Sequence, residues 1–207
     1  MKKCLLLIVT ILSLLSLYAQ NDFIFPVEDV FTISGRGTVA TGKIERGMIK
    51  TGDSVEIIGL SQNIIKSKIT GIEAFNKVMT VAKSGDNIGL LLSGVPKEQV
   101  TRGMVICKPG AIKAYSNFKC QLQLLKKEEG GRSTPVFDKY RPQFIFYTAT
   151  VTGQILLPAG TESMAPGDNA TVTVKLIDPA AMLKDMEFVI KEGGRVVGKG
   201  KVSELIE

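Results

Sequence analysis

The chain has 207 residues, of which 44% are hydrophobic and 22% charged, values that exclude a disordered polymer and fit one or two packed domains. It contains no histidine, which removes Ser-His-Asp and Cys-His catalysis and most zinc chemistry in one step. The formal charge of +6 is compatible with a nucleic-acid partner without demanding one.

In chain order, Met1-Lys2-Lys3 precedes an apolar run from Leu5 to Ala19, broken only by Thr10, Ser13 and Ser16. A short basic start, an apolar stretch and a small residue at its end describe a secretory signal peptide over residues 1–20. The run is shorter than the ~20 residues that span a bilayer. Cleavage after Ala19 is expected, with Leu17 large for its position. Cys4 precedes the run and so cannot be a lipoprotein's lipid-accepting cysteine. The segment implies an exported product, periplasmic, surface-located or secreted. An uncleaved anchor, or an accidental fusion that leaves the chain cytoplasmic, are the other readings. The remaining cysteines, Cys107 and Cys120, form no CxxC pair, so no metal and no redox motif is expected.

From Phe23 onward the hydrophobic period is two. Val39, Thr41 and Lys43 alternate with Ala40 and Ile44. Phe118, Cys120, Leu122 and Leu124 share one face, as do Val172, Val174 and Leu176. These are half-buried strands. Glycine-centred turns punctuate them at Gly47, Gly52, Gly85, Gly110, Gly130-Gly131, Gly167 and Gly193-Gly194. Short strands with regular turns predict an all-β protein of sandwich or barrel type, divided near Pro109-Gly110 into units at 21–112 and 113–207.

Seven stretches are more specific. Pro26-Val27-Glu28-Asp29-Val30-Phe31 is followed by Ser34-Gly35-Arg36-Gly37-Thr38-Val39-Ala40-Thr41-Gly42, then by Gly52-Asp53-Ser54-Val55-Glu56-Ile57 and Arg102-Gly103-Met104-Val105. Further on stand Glu128-Glu129-Gly130-Gly131-Arg132, Tyr140-Arg141-Pro142-Gln143-Phe144 and Met164-Ala165-Pro166-Gly167-Asp168-Asn169. From Phe23 to the C-terminus the sequence resembles domains II and III of translation elongation factor Tu, which implies two consecutive β-barrels. The family's nucleotide-binding domain precedes the Pro26 motif, and here a twenty-residue apolar segment stands in that place. No G-x-x-x-x-G-K-[S/T] loop occurs, so GTP binding, GTPase activity and any cofactor are not expected. Asp86-Asn87-Ile88-Gly89 fits a short GTPase pattern but falls within a strand, without partner motifs.

The resemblance implies an aminoacyl-tRNA partner. Its aminoacyl end would meet Glu28, Asp29, Phe31, Ile33, Gly35, Val39, Thr41, Glu73, Asn87 and Leu91. Ile33, Val39 and Leu91 offer an apolar slot for the terminal adenine, and Gly35 allows close backbone approach. Glu73 would accept from a ribose hydroxyl. Glu28, Asp29 and Asn87 would meet the α-amino group, and Phe31 the amino-acid side chain. The apolar three also suit any strand, and Glu28-Asp29 any solvated strand end. In domain III, Gln143, Thr152 and the Glu192-Gly193-Gly194-Arg195 turn match the T-stem face, with Gly193 and Arg195 the expected binding residues of that turn, though Gly-Gly-Arg also suits an ordinary hairpin.

Several positions depart from the family. Asn76 replaces an arginine after Phe75, Ser93 an arginine before Gly94, Tyr147 a basic residue and Ser133 a histidine. Binding of aminoacyl-tRNA is therefore expected to be weak. The alternative is an exported barrel scaffold for an extracytoplasmic protein partner. The Glu129–Arg132 segment is expected to be exposed.

Overall fold

The computed structural model describes residues 22–75 and 77–206. The signal-peptide expectation, Cys4 and Asn76 lie outside them. Within them the regular secondary structure is nearly all strand, as expected, and the chain divides into two units. Residues 22–57 and 64–111 form the first; residues 58–63 and 112–206 form the second.

The first unit contains β1 (Ile24–Pro26), β2 (Asp29–Ile33), β3 (Gly37–Lys43), β4 (Met48–Lys50), β5 (Ser54–Ile58), β6 (Ile65–Ala74), β7 (Lys77–Met79), β8 (Val81–Lys83), β9 (Asn87–Leu92) and β10 (Val105–Cys107). An eight-stranded antiparallel sheet runs β1-β10-β5-β6-β9-β3-β2, with β7 paired to β6, while β4 and β8 pair separately. The sheet curls without a β1–β2 ladder. Pro26 has no N–H to donate at that corner, and the chain packs there on β3 instead, where Glu28 N–H donates to Thr41 O at 2.8 Å. Inward positions carry Phe25, Val30, Ala40, Ile57, Ile72 and Leu90, all in one buried cluster.

The second unit contains β11 (Lys113–Leu124), β12 (Val136–Phe137), β13 (Gln143–Phe146), β14 (Ala149–Leu156), β15 (Ser163–Met164), β16 (Asn169–Met182), β17 (Glu187–Glu192) and β18 (Arg195–Ile206). Six of these close a barrel in the order β11-β16-β14-β13-β17-β18. Its centre is aromatic: Phe118 stands edge-on to Phe144, Phe146 and Phe188, with centroids 5.7–6.2 Å away. Burying such rings drives closure, each worth about 3–5 kcal/mol against alanine. Cys120 lies in the same core, and burial pushes its thiol up to about 12.

Candidate nucleic-acid interface

Period-two alternation on β2, β3, β9 and β6 sends one set of side chains into the first core and the other set outward. Val30, Ala40, Ile88, Leu90 and Ile72 point in. Strand register aligns this second set in rows, in which Val39 and Leu91 are themselves covered. Phe31 pairs with Val39, Val39 with Leu91, and Leu91 with Gly71. Asp29 pairs with Thr41, Thr41 with Gly89, and Gly89 with Glu73. Every second row therefore crosses four strands, and two of the eight positions carry no side chain.

The side chain missing at Gly89 leaves a hollow, whereas Leu91 covers Gly71. A cavity of about 350 Å³ opens on this face, lined by Glu28, Phe31, Ile33, Val39, Thr41, Gly42, Glu73, Ala74, Phe75, Asn87, Ile88 and Gly89. That volume lies near the lower end of the ~300–1,000 Å³ of small-molecule sites, suiting one nucleotide end better than a duplex. Seven of the ten residues expected at an aminoacyl end line it. The other three do not. Leu91 is buried beside Gly71, beneath the same face. Gly35 sits in the β2–β3 turn at φ 74°, with nothing within 4 Å of where a Cβ would stand. The Asp29 carboxylate accepts the Val30 N–H at 2.8 Å and is turned to the backbone.

Two contributors escape a reading by motif. Gly89 forms the floor, and its signal was a lone glycine inside an apolar strand, a common mark of close approach. Arg36, in the exposed turn, forms an ion pair with Glu73, and no sequence spacing announces it. The Glu73 carboxylate is thus already held by a cation. Asp86 accepts the Lys83 N–H at 2.9 Å in a turn, a structural task that accounts for this aspartate without a nucleotide.

In the second unit, Gln143 on β13 faces Thr152 on β14 and Lys191 on β17. Strand β17 then turns through Gly193 and Gly194, at φ 55° and 82°, so that Arg195 faces Glu192. The four expected T-stem residues therefore lie along adjoining strands of one barrel. Beside the turn, a cavity of about 170 Å³ is lined by Lys127, Gly131, Arg132, Ser133, Thr134, Glu192 and Arg195. Here the expectation of an exposed Glu129–Arg132 segment is only half met. Glu129 is exposed, but Gly131 is buried and the Arg132 side chain retains 18% exposure. A Cβ at Gly131 would stand 2.1 Å from Leu125 O, so the backbone there admits only glycine. Tyr140, under the Arg132 guanidinium, has its phenol raised by burial and then by the Glu192 carboxylate.

Among the described residues no cluster of three acidic or thiol groups could hold a metal. A family model described as elongation factor Tu domain 2 matches residues 37–107. Another, described as elongation factor Tu C-terminal domain, matches residues 111–206. The matches fall on the two units that carry these faces, and the chain belongs to the elongation factor Tu family through its domain 2 and its C-terminal domain.

Proposed function

We propose that the chain binds aminoacyl-tRNA as a non-catalytic, translation-factor-like module. The observation that carries this is the gathering of Glu28, Phe31, Ile33, Val39, Thr41, Glu73 and Asn87 around one outward cavity. Apolar walls from Ile33 and Val39 suit the faces of a terminal adenine, since stacking tolerates any base. Glu73 accepts from a ribose hydroxyl after releasing Arg36, its partner in an exposed ion pair worth at most about 1 kcal/mol. Phe31, 40% exposed at the rim, meets the aminoacyl side chain. Gln143, Thr152, Gly193 and Arg195 support the stem through backbone and cationic contacts that position RNA without reading sequence.

Affinity is modest, because the sequence offers Asn76, Ser93 and Ser133 where the family has basic or imidazole side chains. Filter binding with charged and uncharged tRNA at low and physiological salt tests the reading. Charged tRNA should be preferred by less than about tenfold, and Glu73→Ala should weaken charged and uncharged tRNA alike by removing one hydrogen bond worth about 1 kcal/mol, because both carry a terminal ribose hydroxyl. Absence of binding even at low salt would sink it.

A second reading concerns location. The basic start and apolar run of residues 1–19 favour export, which would make an extracytoplasmic protein the partner. Cell fractionation with intact-mass measurement decides this: a cytosolic product that retains Met1 rules it out.

A further inference from the structure

Strands β4 and β8 stand apart from the main sheet of the first unit as a two-stranded ribbon. Met48 faces Lys83, Ile49 faces Ala82 and Lys50 faces Val81. Ile49 and Ala82 are buried in the core, so the pleat turns the other four side chains outward. Met48 and Val81 each remain 43% exposed. They lie on a diagonal, so each has one lysine beside it along its own strand and another across the ribbon. Single exposed apolar residues need no explanation, but two framed by lysines on one face form an amphipathic patch. Lysine stems cover apolar surface while their ammonium groups reach outward.

Among the described residues no salt bridge uses the ammonium of Lys50 or Lys83. The carboxylates of the two flanking turns are engaged. Asp53 accepts from Lys108 Nζ at 2.7 Å and from Lys50 N–H at 2.9 Å, with only a smaller pull from the Lys50 charge. Asp86 accepts from Lys83 N–H at 2.9 Å. Exposed Glu45 precedes β4, and exposed Lys43 and Arg46 bracket it in sequence.

The ribbon also marks where the chain enters the fold. Ile24 N–H donates to Arg46 O at 3.0 Å, and Arg46 Nη1 pairs with Asp22 Oδ1 at 3.1 Å. A Cβ at Gly47 would stand 2.8 Å from Asp22 O, so the chain at Asp22 lies directly against the residue that precedes Met48. In the sequence only Gln20 and Asn21 separate Asp22 from the apolar run Leu5–Ala19, a link that reaches no further than about 11 Å. The run falls short of the ~20 residues that span a bilayer, and stable attachment by a modest apolar segment takes a second signal such as a basic patch.

We propose that the outward face of the β4–β8 ribbon is a membrane-contact surface for a bilayer bearing acidic headgroups. Met48 and Val81 enter the headgroup boundary, while Lys50 and Lys83 pair with lipid phosphates, drawn by the negative surface potential. The inference goes beyond the aminoacyl-tRNA reading, since none of these four side chains lines that cavity. It draws on the same apolar start as the export reading, which cell fractionation tests separately.

The test uses the full chain at low salt with vesicles of phosphatidylcholine, alone or mixed with phosphatidylglycerol. The chain has no tryptophan, so Val81→Trp is a single reporter. Its emission should shift to the blue on mixed vesicles and be quenched by brominated acyl chains, whereas Phe137→Trp, in the second unit, should show neither. In sedimentation the wild type should partition at least about tenfold more onto the mixed vesicles, and Lys50→Gln/Lys83→Gln should lose most of that gain. Lys2 and Lys3 also feel the acidic surface, but the double variant leaves them in place, so the loss reports the ribbon. Vesicle-bound protein whose Val81→Trp emission stays unshifted assigns attachment to the apolar run alone and overturns the proposal. Equal quenching of Phe137→Trp overturns it too, because adsorption then has no defined face. A shift given by soluble polyglutamate but not by vesicles overturns it in favour of an acidic protein partner.

Discussion

A Cβ at Gly89 would stand 3.1 Å from Val39 Cγ1 and 3.7 Å from Thr41 Cγ2, side chains that can give by a few tenths of an ångström. A Cβ at Gly42 would stand 2.2 Å from Pro26 O, a backbone atom that cannot. Both glycines interrupt strands, and sequence pattern alone does not separate them. Their surroundings do. Gly89→Val should change stability by no more than about 1 kcal/mol, because a β-branched residue suits a strand better than glycine. It should also reduce aminoacyl-end binding at least about tenfold, because its side chain fills the cavity floor. Gly42→Ala should lose about 1–3 kcal/mol from overpacking. Urea melts beside tRNA titrations check both; a destabilised Gly89→Val with intact binding would contradict the assignment. Motif resemblance named the cavity's polar rim well, since a rim is made of side chains. It missed the floor, which is made of their absence, and it missed Arg36, whose partner Glu73 is 37 residues away.

At the scale of the element, alternation was the most legible feature. Val39 and Thr41 do share the cavity face, Val39 itself covered, while Ala40 lies in the core, and Phe118, Cys120, Leu122 and Leu124 are all buried. Turns were equally plain, and Gly47, Gly52, Gly85, Gly110, Gly130, Gly167, Gly193 and Gly194 all take positive φ. What the pattern concealed is how turns are tied to distant strands. The Thr51–Asp53 turn is held by Asp53, whose Oδ2 accepts from Lys108 Nζ at 2.7 Å, just past β10, and from Lys50 N–H at 2.9 Å. Burial pushes this carboxyl up, but the ammonium and the amide more than offset it, leaving it below its ordinary value. A depressed carboxylate contributes stability above its unfolded value near ~4, and that contribution is lost as pH falls through the folded value. Asp53→Asn should therefore cost about 1 kcal/mol at pH 7, given the small exposure of both partners. The deficit should shrink steadily below pH ~4, which chemical denaturation at stepped pH will show. A deficit that stays constant down to pH 3 would mean the charge is not the source.

At the scale of the whole molecule, the two units present two surfaces of different physics. The first presents an apolar hollow with one carboxylate already neutralised by Arg36. The second presents lysine and arginine beside a glycine turn. Contacts of the first kind barely respond to salt, whereas phosphate contacts release counterions and weaken with each increment of it. Linked surfaces multiply one another's affinity, so a single dissociation constant cannot separate them. Two kinds of readout can. Gly89→Val should abolish discrimination between charged and uncharged tRNA while leaving the slope of log affinity against log salt unchanged. Arg195→Ala should lower that slope by about one while preserving discrimination, the signature of a lost phosphate contact. If either variant moves both readouts together, the surfaces do not divide the labour in this way, and a single face carries both the end and the stem.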